Sequence, residues 1–195
     1  MNVNDNINLE YEERVMITQN QYSQIVEEYS KYEQKKIVNT NYYFDYEDLQ
    51  LTNSGMVLRA RNIDDQIFEL TLKIKQENGD IEVNHPLTSN EFLDIIENEK
   101  IPDSEVLVLL NSKNIDLESI KLITSLKTER IEIEFPEYLF VIDKNYYNNK
   151  VDFNLEVEST SKKDAKTYLN QIISQFGIEN KKDYISKSRR AIYNL

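Results

Sequence analysis

Cysteine is absent from the 195-residue sequence, which excludes a disulfide framework, a thiolate zinc site and a cysteine nucleophile. A single histidine, His85, removes Ser-His-Asp and Cys-His arrangements and any multi-histidine metal centre. Glycine and proline occur 3 times each, too few for a flexible linker or a glycine-rich phosphate loop. No apolar run approaches the roughly 20 residues of a membrane-spanning helix. The polar opening MNVNDNINLE does not read as a signal peptide, so a soluble cytoplasmic protein is expected. Positive charge is also short: 23 basic residues stand against 35 acidic ones, a net charge of -12. A field of that sign disfavours nucleic acids and anionic membranes, whose binding rests on excess Lys and Arg. It leaves room for a small polyanion held in a local basic site.

What remains is a globular composition, 39% hydrophobic and 30% charged, in a length that suits one domain spanning residues 1–195. The dominant hydrophobic period is 2. Ile67–Lys75 alternates Phe68, Leu70, Leu72 and Ile74 with Glu69, Thr71, Lys73 and Lys75. Leu9–Met16, Met56–Arg61, Arg130–Phe135 and Asp152–Glu158 alternate in the same way, as half-buried antiparallel strands do. Ile37–Asp45, Ile81–His85 and Tyr138–Asp143 are shorter strand candidates, and Asn78-Gly79 fits a hairpin turn. Helical spacing marks Gln19–Tyr32, Thr88–Asn98 and Ser161–Phe176, the last stopped by Gly177, while Ile101–Ile120 reads as one or two short helices. These elements make an α+β chain with about eight strands. His85, before Pro86, reads as a turn or edge residue, and Asp45, beside aromatics, as having a structural hydrogen-bond role.

The polar faces of these strands are unusual. Arginine is used 6 times, and Arg14, Arg59, Arg61 and Arg130 all fall on polar strand faces, with Arg189 and Arg190 near the end of the chain. Arginine suits sites where a planar fork grips carboxylate or phosphate; cross-strand pairing with glutamate is the plainer alternative. Carboxylates come two apart on one strand face, as Glu10 and Glu12 and again as Glu156 and Glu158, about 7 Å apart along the backbone. Without cysteine and with one histidine, any metal site must be built from oxygen, as Mg²⁺ or Mn²⁺ prefers. A solvated acidic face is the alternative reading. If the strands close into a barrel, these charged faces line its inside and the helices cover the apolar outside.

Several segments then occur in a telling order. They are Glu10-Tyr11-Glu12-Glu13-Arg14, Asn41-Tyr42-Tyr43-Phe44-Asp45, Leu58-Arg59-Ala60-Arg61 and Leu70-Thr71-Leu72-Lys73, followed by Ser125-Leu126-Lys127-Thr128-Glu129-Arg130. Val141-Ile142-Asp143, Asp152-Phe153-Asn154-Leu155-Glu156-Val157-Glu158 and Lys187-Ser188-Arg189-Arg190 complete the series. Together they resemble the CYTH family, or triphosphate tunnel metalloenzymes, and above all the small CYTH proteins of Gram-positive bacteria. The resemblance implies an eight-stranded antiparallel β-barrel tunnel with helices packed outside. It implies a triphosphatase that needs Mg²⁺ or Mn²⁺, with inorganic tripolyphosphate as leading substrate. Thiamine or nucleoside triphosphate hydrolysis, adenylate cyclase chemistry of the class IV type, and a non-catalytic polyphosphate sensor stay open. The implied metal ligands are Glu10, Glu12, Asp143, Glu156 and Glu158. The implied triphosphate cradle is Arg14, Arg59, Arg61, Lys73, Lys75, Arg130, Lys187 and Arg190, and Glu82 points the same way. Arg14, Glu156 and Glu158 are the implied catalytic groups. Arg14 stands where the family usually has lysine, which keeps the charge but not a compact ammonium donor. The implied partner is a small-molecule triphosphate, with no nucleic acid and no membrane; a homodimer is left open.

Overall fold

The computed structural model describes residues 11–75, 81–179 and 184–195. Glu10 and the Asn78-Gly79 turn lie outside the described residues. Eight strands are present: β1 (Tyr11–Ile17), β2 (Lys35–Asp45), β3 (Met56–Ile63), β4 (Ile67–Ile74), β5 (Ile81–Leu87), β6 (Lys121–Phe135), β7 (Tyr138–Tyr147) and β8 (Lys150–Ser159). They form one sheet in the order β1-β8-β7-β6-β2-β3-β4-β5. The described ladders of β1 with β8, β2 with β3, β3 with β4 and β4 with β5 are antiparallel. Six α-helices accompany them among the described residues: α1 (Gln19–Glu28), α2 (Gln50–Asn53), α3 (Ser89–Asn98), α4 (Glu105–Ser112), α5 (Lys162–Gln175) and α6 (Lys187–Ile192). No helix among the described residues is long and apolar enough to cross a membrane.

The chain divides into two compact units. The first takes in the described parts of Met1–Ile37, Glu129–Asn145 and Val151–Tyr184. Here Val15 and Ile17 of β1 and Phe153, Leu155 and Val157 of β8 pack with Ile25 of α1 and with Ala165, Leu169 and Ile172 of α5. Each helix starts where a hydroxyl can satisfy the exposed N–H groups of the first turn. Thr18 and Gln21 form a reciprocal capping box on α1, and Ser161 caps α5. Gly177, at φ +58°, turns the chain after α5, a conformation glycine adopts without the Cβ penalty.

The second unit takes in the described parts of Val38–Thr128, Tyr146–Lys150 and Ile185–Leu195. Its largest core joins Leu58, Ala60, Leu70 and Leu72 of β3 and β4 to Phe92 and Ile95 of α3 and to Val106 and Leu110 of α4. Thr88 and Glu91 cap α3 as Thr18 and Gln21 cap α1. His85 lies on β5, the last strand in the order, opposite Leu70.

Each strand overlaps a segment that the sequence marks as a strand candidate, but β6 runs over 15 residues, well beyond Arg130–Phe135. Its buried positions are the even-numbered Leu126 and Thr128 in the first half and the odd-numbered Ile131 and Ile133 in the second. No single period-2 pattern therefore spans it. Two helices had no periodic signal at all: α2 and α6 are 4 and 6 residues long, too short to show a repeating face.

Asp45 explains α2. Its buried carboxylate accepts from the backbone N–H of Tyr46 (2.8 Å), Leu51 (2.8 Å) and Thr52 (2.9 Å) and from the Thr52 hydroxyl (2.6 Å). Asp45→Ala would leave the Leu51 and Thr52 N–H groups without this acceptor, at about 1–3 kcal/mol for the buried Leu51 N–H and less for the half-buried Thr52 N–H. Urea unfolding of Asp45→Ala is expected to show a loss of about 2–4 kcal/mol with an unchanged m-value. A loss below about 0.5 kcal/mol would mean that water replaces the carboxylate.

Candidate functional site

The polar face of the first unit is built by register. Antiparallel pairing sets Glu12 opposite Glu158 and Arg14 opposite Glu156. Two glutamates directly across a ladder repel each other, so this arrangement needs positive charge nearby. One carboxylate oxygen from each of Glu12, Glu156 and Glu158 lies within 4.8 Å of the other two. Three hard oxygen donors at that spacing fit a cation such as Mg²⁺, Mn²⁺ or Ca²⁺.

Two arginines bracket the trio. Arg14 pairs with both oxygens of Glu12 and approaches Glu156 at 3.5 Å. Its guanidinium also lies 5.6 Å from the ring centre of Tyr184, within range of a cation–π contact. Arg130 grips Asp143 with two bonds of 2.9 Å and donates to Glu156 at 2.7 Å. Asp143 and Glu156 are almost wholly buried, at 0% and 2% exposure, and burial of carboxylates is tolerable here because each meets a guanidinium. Burial alone would lower the pKa of both arginines. For Arg14 the charges of Glu156 and Glu12 outweigh it, and for Arg130 those of Asp143 and Glu156 do, so both values lie above the ordinary one.

Glu12 stands on the other side of this balance. Its side chain is 28% exposed, yet the carboxyl group itself is crowded. Burial first, then the charge of Glu156, raise its pKa to about 7, against the lowering effect of Arg14.

In the second unit the register sets Tyr43 opposite Arg59, Asn41 opposite Arg61 and Lys73 opposite Glu82. Arg59 donates to Glu82 at 3.2 Å, and Arg61 meets Glu69 at 3.2 Å and donates to Asn41 at 3.1 Å. Lys73 lies 3.8 Å from Glu82. The cross-strand glutamate pairing weighed from the sequence is thus present. Even so, the Arg59 Nε is buried with no hydrogen-bond partner among the described residues. Burial, and then the charge of Arg59, lower the pKa of Arg61, with Glu69 acting the other way. Buried Tyr43 feels Arg59, Lys187, Arg61 and Arg190, all of which lower a pKa that burial raises further. Arg190, on α6, is buried and donates to the Ile185 carbonyl at 2.5 Å. Lys75 follows β4 and is exposed.

The structure therefore brings Glu12, Glu156 and Glu158 together, while Asp143 is taken by Arg130. Strand alternation singled out these residues; their partners depend on which strands are neighbours. Tyr184 and the buried amides Asn145 and Asn154 carry no role that the sequence reveals. Alternation does put Asn154 on a polar face, yet asparagine there is usually a surface residue.

A CYTH-domain family model matches residues 8–191. The Bacillus subtilis (strain 168) protein named "Putative triphosphatase YjbK" is 28% identical over 170 residues, which cover 87% of each chain. A crystal structure of a "putative adenylate cyclase" from Bacillus halodurans superposes with a TM-score of 0.81 at 27% identity, covering 93% of this chain and 96% of that one. A Hippeastrum protein, described as a "putative adenylyl cyclase" with a dominant triphosphatase activity, shares the fold at a TM-score of 0.79 and 16% identity, over 95% of each chain.

The proton on Glu12 gives a direct check of this electrostatic picture. Its pKa is about 7 in the folded chain against an ordinary 4.5. Its contribution to stability is then full below about pH 4.5 and is lost as pH rises through about 7. Glu12→Gln keeps the neutral shape. In metal-free buffer at pH 8 it is expected to be about 1–2 kcal/mol more stable than the unchanged protein, a figure reduced for partial solvent screening. The gap should close towards pH 5. Urea titrations at both pH values decide it, and an equal gap at the two would show that Glu12 is not crowded.

Proposed function

Since the chain belongs to the CYTH family, an eight-stranded antiparallel fold with attached helices, we propose that it is a divalent-metal-dependent triphosphatase whose substrate is inorganic tripolyphosphate. The observation that carries this reading is the oxygen trio of Glu12, Glu156 and Glu158 held beside Arg14 and Arg130. Carboxylates outnumber guanidinium groups in that cluster, which leaves negative charge for Mg²⁺ or Mn²⁺ to neutralise. The bound ion would supply Lewis-acid polarisation of phosphoryl oxygens.

The chain's own residues do the rest in this reading. Glu12, Glu156 and Glu158 bind the cation, and Arg130 and Arg14 hold the Glu156 carboxylate between them. Arg59, Arg61 and Lys73 bind phosphate oxygens in exchange for Glu69 and Glu82, with Lys187 and Arg190 adding to the positive field felt at Tyr43. In hydrolysis a water oxygen bonds to the terminal phosphorus, the bond from that phosphorus to the bridging oxygen breaks, and orthophosphate and pyrophosphate leave. Arg14 is the proposed cationic group for the charge that develops on the leaving pyrophosphate. A small-molecule triphosphate is the proposed partner and the cytoplasm the proposed location.

A second reading, cyclisation of ATP, is favoured by the description of the Bacillus halodurans relative as a "putative adenylate cyclase". The products separate the two. Phosphate release from tripolyphosphate, ATP and thiamine triphosphate, with Mg²⁺ and with Mn²⁺, is expected to be fastest from tripolyphosphate. Pyrophosphate with cyclic AMP would favour cyclisation, and binding without turnover would make the protein a sensor.

Two variants test the division of labour. Glu158→Gln keeps the shape but loses the charge that binds a cation, and it is expected to abolish metal-dependent phosphate release with the fold intact by circular dichroism. Arg59→Ala is expected to weaken tripolyphosphate binding by about 1.5–3 kcal/mol, on the order of tenfold to a hundredfold, while Mn²⁺ affinity stays the same. Arg59→Lys should recover part of it, since lysine keeps the charge without the fork. Unchanged tripolyphosphate affinity in Arg59→Ala, measured by calorimetry, would assign that arginine to glutamate pairing alone.

A further inference from the structure

Two asparagines in the first unit are fully buried and hydrogen-bonded to other polar side chains. Asn154 on β8 and Asn145 on β7 each have 0% exposure. The Asn154 Nδ2 donates to Asp143 Oδ2 and to Glu156 Oε1, both at 3.2 Å. Its Oδ1 accepts from Asn145 Nδ2 at 2.8 Å, and the same Asn145 nitrogen donates to Asp152 Oδ1 at 2.8 Å.

This chain of hydrogen bonds has a direction. An asparagine amide has a donor end and an acceptor end. Flipping Asn154 would aim its carbonyl oxygen at two carboxylates and its NH₂ at the NH₂ of Asn145. Both contacts would be repulsive, and burial leaves no water to relieve them. Asn145, anchored on Asp152, thus selects the orientation in which Asn154 presents N–H groups to Asp143 and Glu156. Glu156 is then held from two sides. Arg130 takes Oε2 at 2.7 Å, and Asn154 takes Oε1.

We infer that Asn154, oriented by Asn145, is a positioning residue that fixes the Glu156 carboxylate for the oxygen trio it forms with Glu12 and Glu158. The consequence for metal binding rests on the reading of that trio as a cation site. Hydrogen bonds that orient a ligand from behind change metal affinity by roughly 10–100-fold. Asn145 acts through its hydrogen bond to Asn154, so its effect should vanish once Asn154 is gone.

The experiment uses the full chain and Mn²⁺ alone, titrated by calorimetry and by electron paramagnetic resonance. Asn154→Ala is expected to bind Mn²⁺ about tenfold or more weakly. Asn145→Ala should weaken it less, and Asn145→Ala combined with Asn154→Ala should bind no worse than Asn154→Ala alone. A packing role would alter the urea midpoint without this non-additive pattern in Mn²⁺ affinity. Wild-type Mn²⁺ affinity in a folded Asn154→Ala overturns the inference, as does simple additivity of the two substitutions. Should Asn154→Ala fail to fold, Asn154→Ser, which keeps one donor, carries the same comparison at a smaller loss, and wild-type affinity there overturns the inference equally.

A metal-free readout separates this inference from the cation reading. In the ¹⁵N-labelled protein without metal, the Asn154 side-chain NH₂ is expected to exchange slowly with solvent and to shift in both Glu156→Gln and Asn145→Ala. A fast-exchanging Asn154 amide, insensitive to both substitutions, overturns the positioning role whatever Mn²⁺ does. If the unchanged protein binds no Mn²⁺ while the amide behaves as expected, the cation reading fails and the positioning of Glu156 stands.

Discussion

Arg130 is shared between Asp143 and Glu156, and the polar face of the first unit depends on that sharing. Two carboxylates with almost no exposure are costly to bury as ions. A guanidinium is the side chain best able to satisfy both, because its planar fork offers five donors in fixed directions. Such an arrangement adds little net stability compared with apolar packing, but losing one partner strands a buried charge. It therefore serves specificity more than strength. With Arg130 on Oε2 and Asn154 on Oε1, the Glu156 side chain has one place to be. Glu12, crowded first by burial and then by the charge of Glu156, holds its proton more tightly than an ordinary carboxyl group.

The second unit follows a different rule. Its cationic side chains crowd one another, so that Arg59 helps to depress the pKa of Arg61. Glu69 and Glu82 relieve that repulsion without cancelling it. Crowded like charges are poorly matched to a resting protein and well matched to a polyanion, which can lie across several of them at once.

Much of this was legible from alternation alone. Glu156 and Glu158, and likewise Arg59 and Arg61, are two apart on their strands, and a period of 2 commits each pair to a common face. The helices with clear caps, at Thr18, Thr88 and Ser161, began where hydroxyl residues preceded apolar spacing. What alternation cannot convey is who stands opposite. β1 pairs with β8, its most distant strand in sequence, so the closeness of Glu12 to Glu158 follows from topology and not from spacing. The same holds for Asp143, a carboxylate that reads as a metal ligand in sequence and is gripped by Arg130 in the fold. Asn145 lay two residues past the expected strand end at Asp143, and β7 continues to Tyr147. Its hydrogen-bond partner Asn154 looked like one more polar residue among many.

Pro86 has a bearing on how this chain behaves among copies of itself. It lies within β5, at the end of the strand order, opposite Glu69 of β4. A proline fits a strand only where its nitrogen faces away from the neighbour it pairs with. The outer row of β5 thereby lacks a donor along its length, and charged Glu82 sits on the same strand. An unfolded or foreign segment that tried to lengthen the sheet there would meet a gap in its hydrogen-bond ladder. Pro86 therefore leaves the outer row of β5 one donor short, which disfavours the pairing of a further strand there.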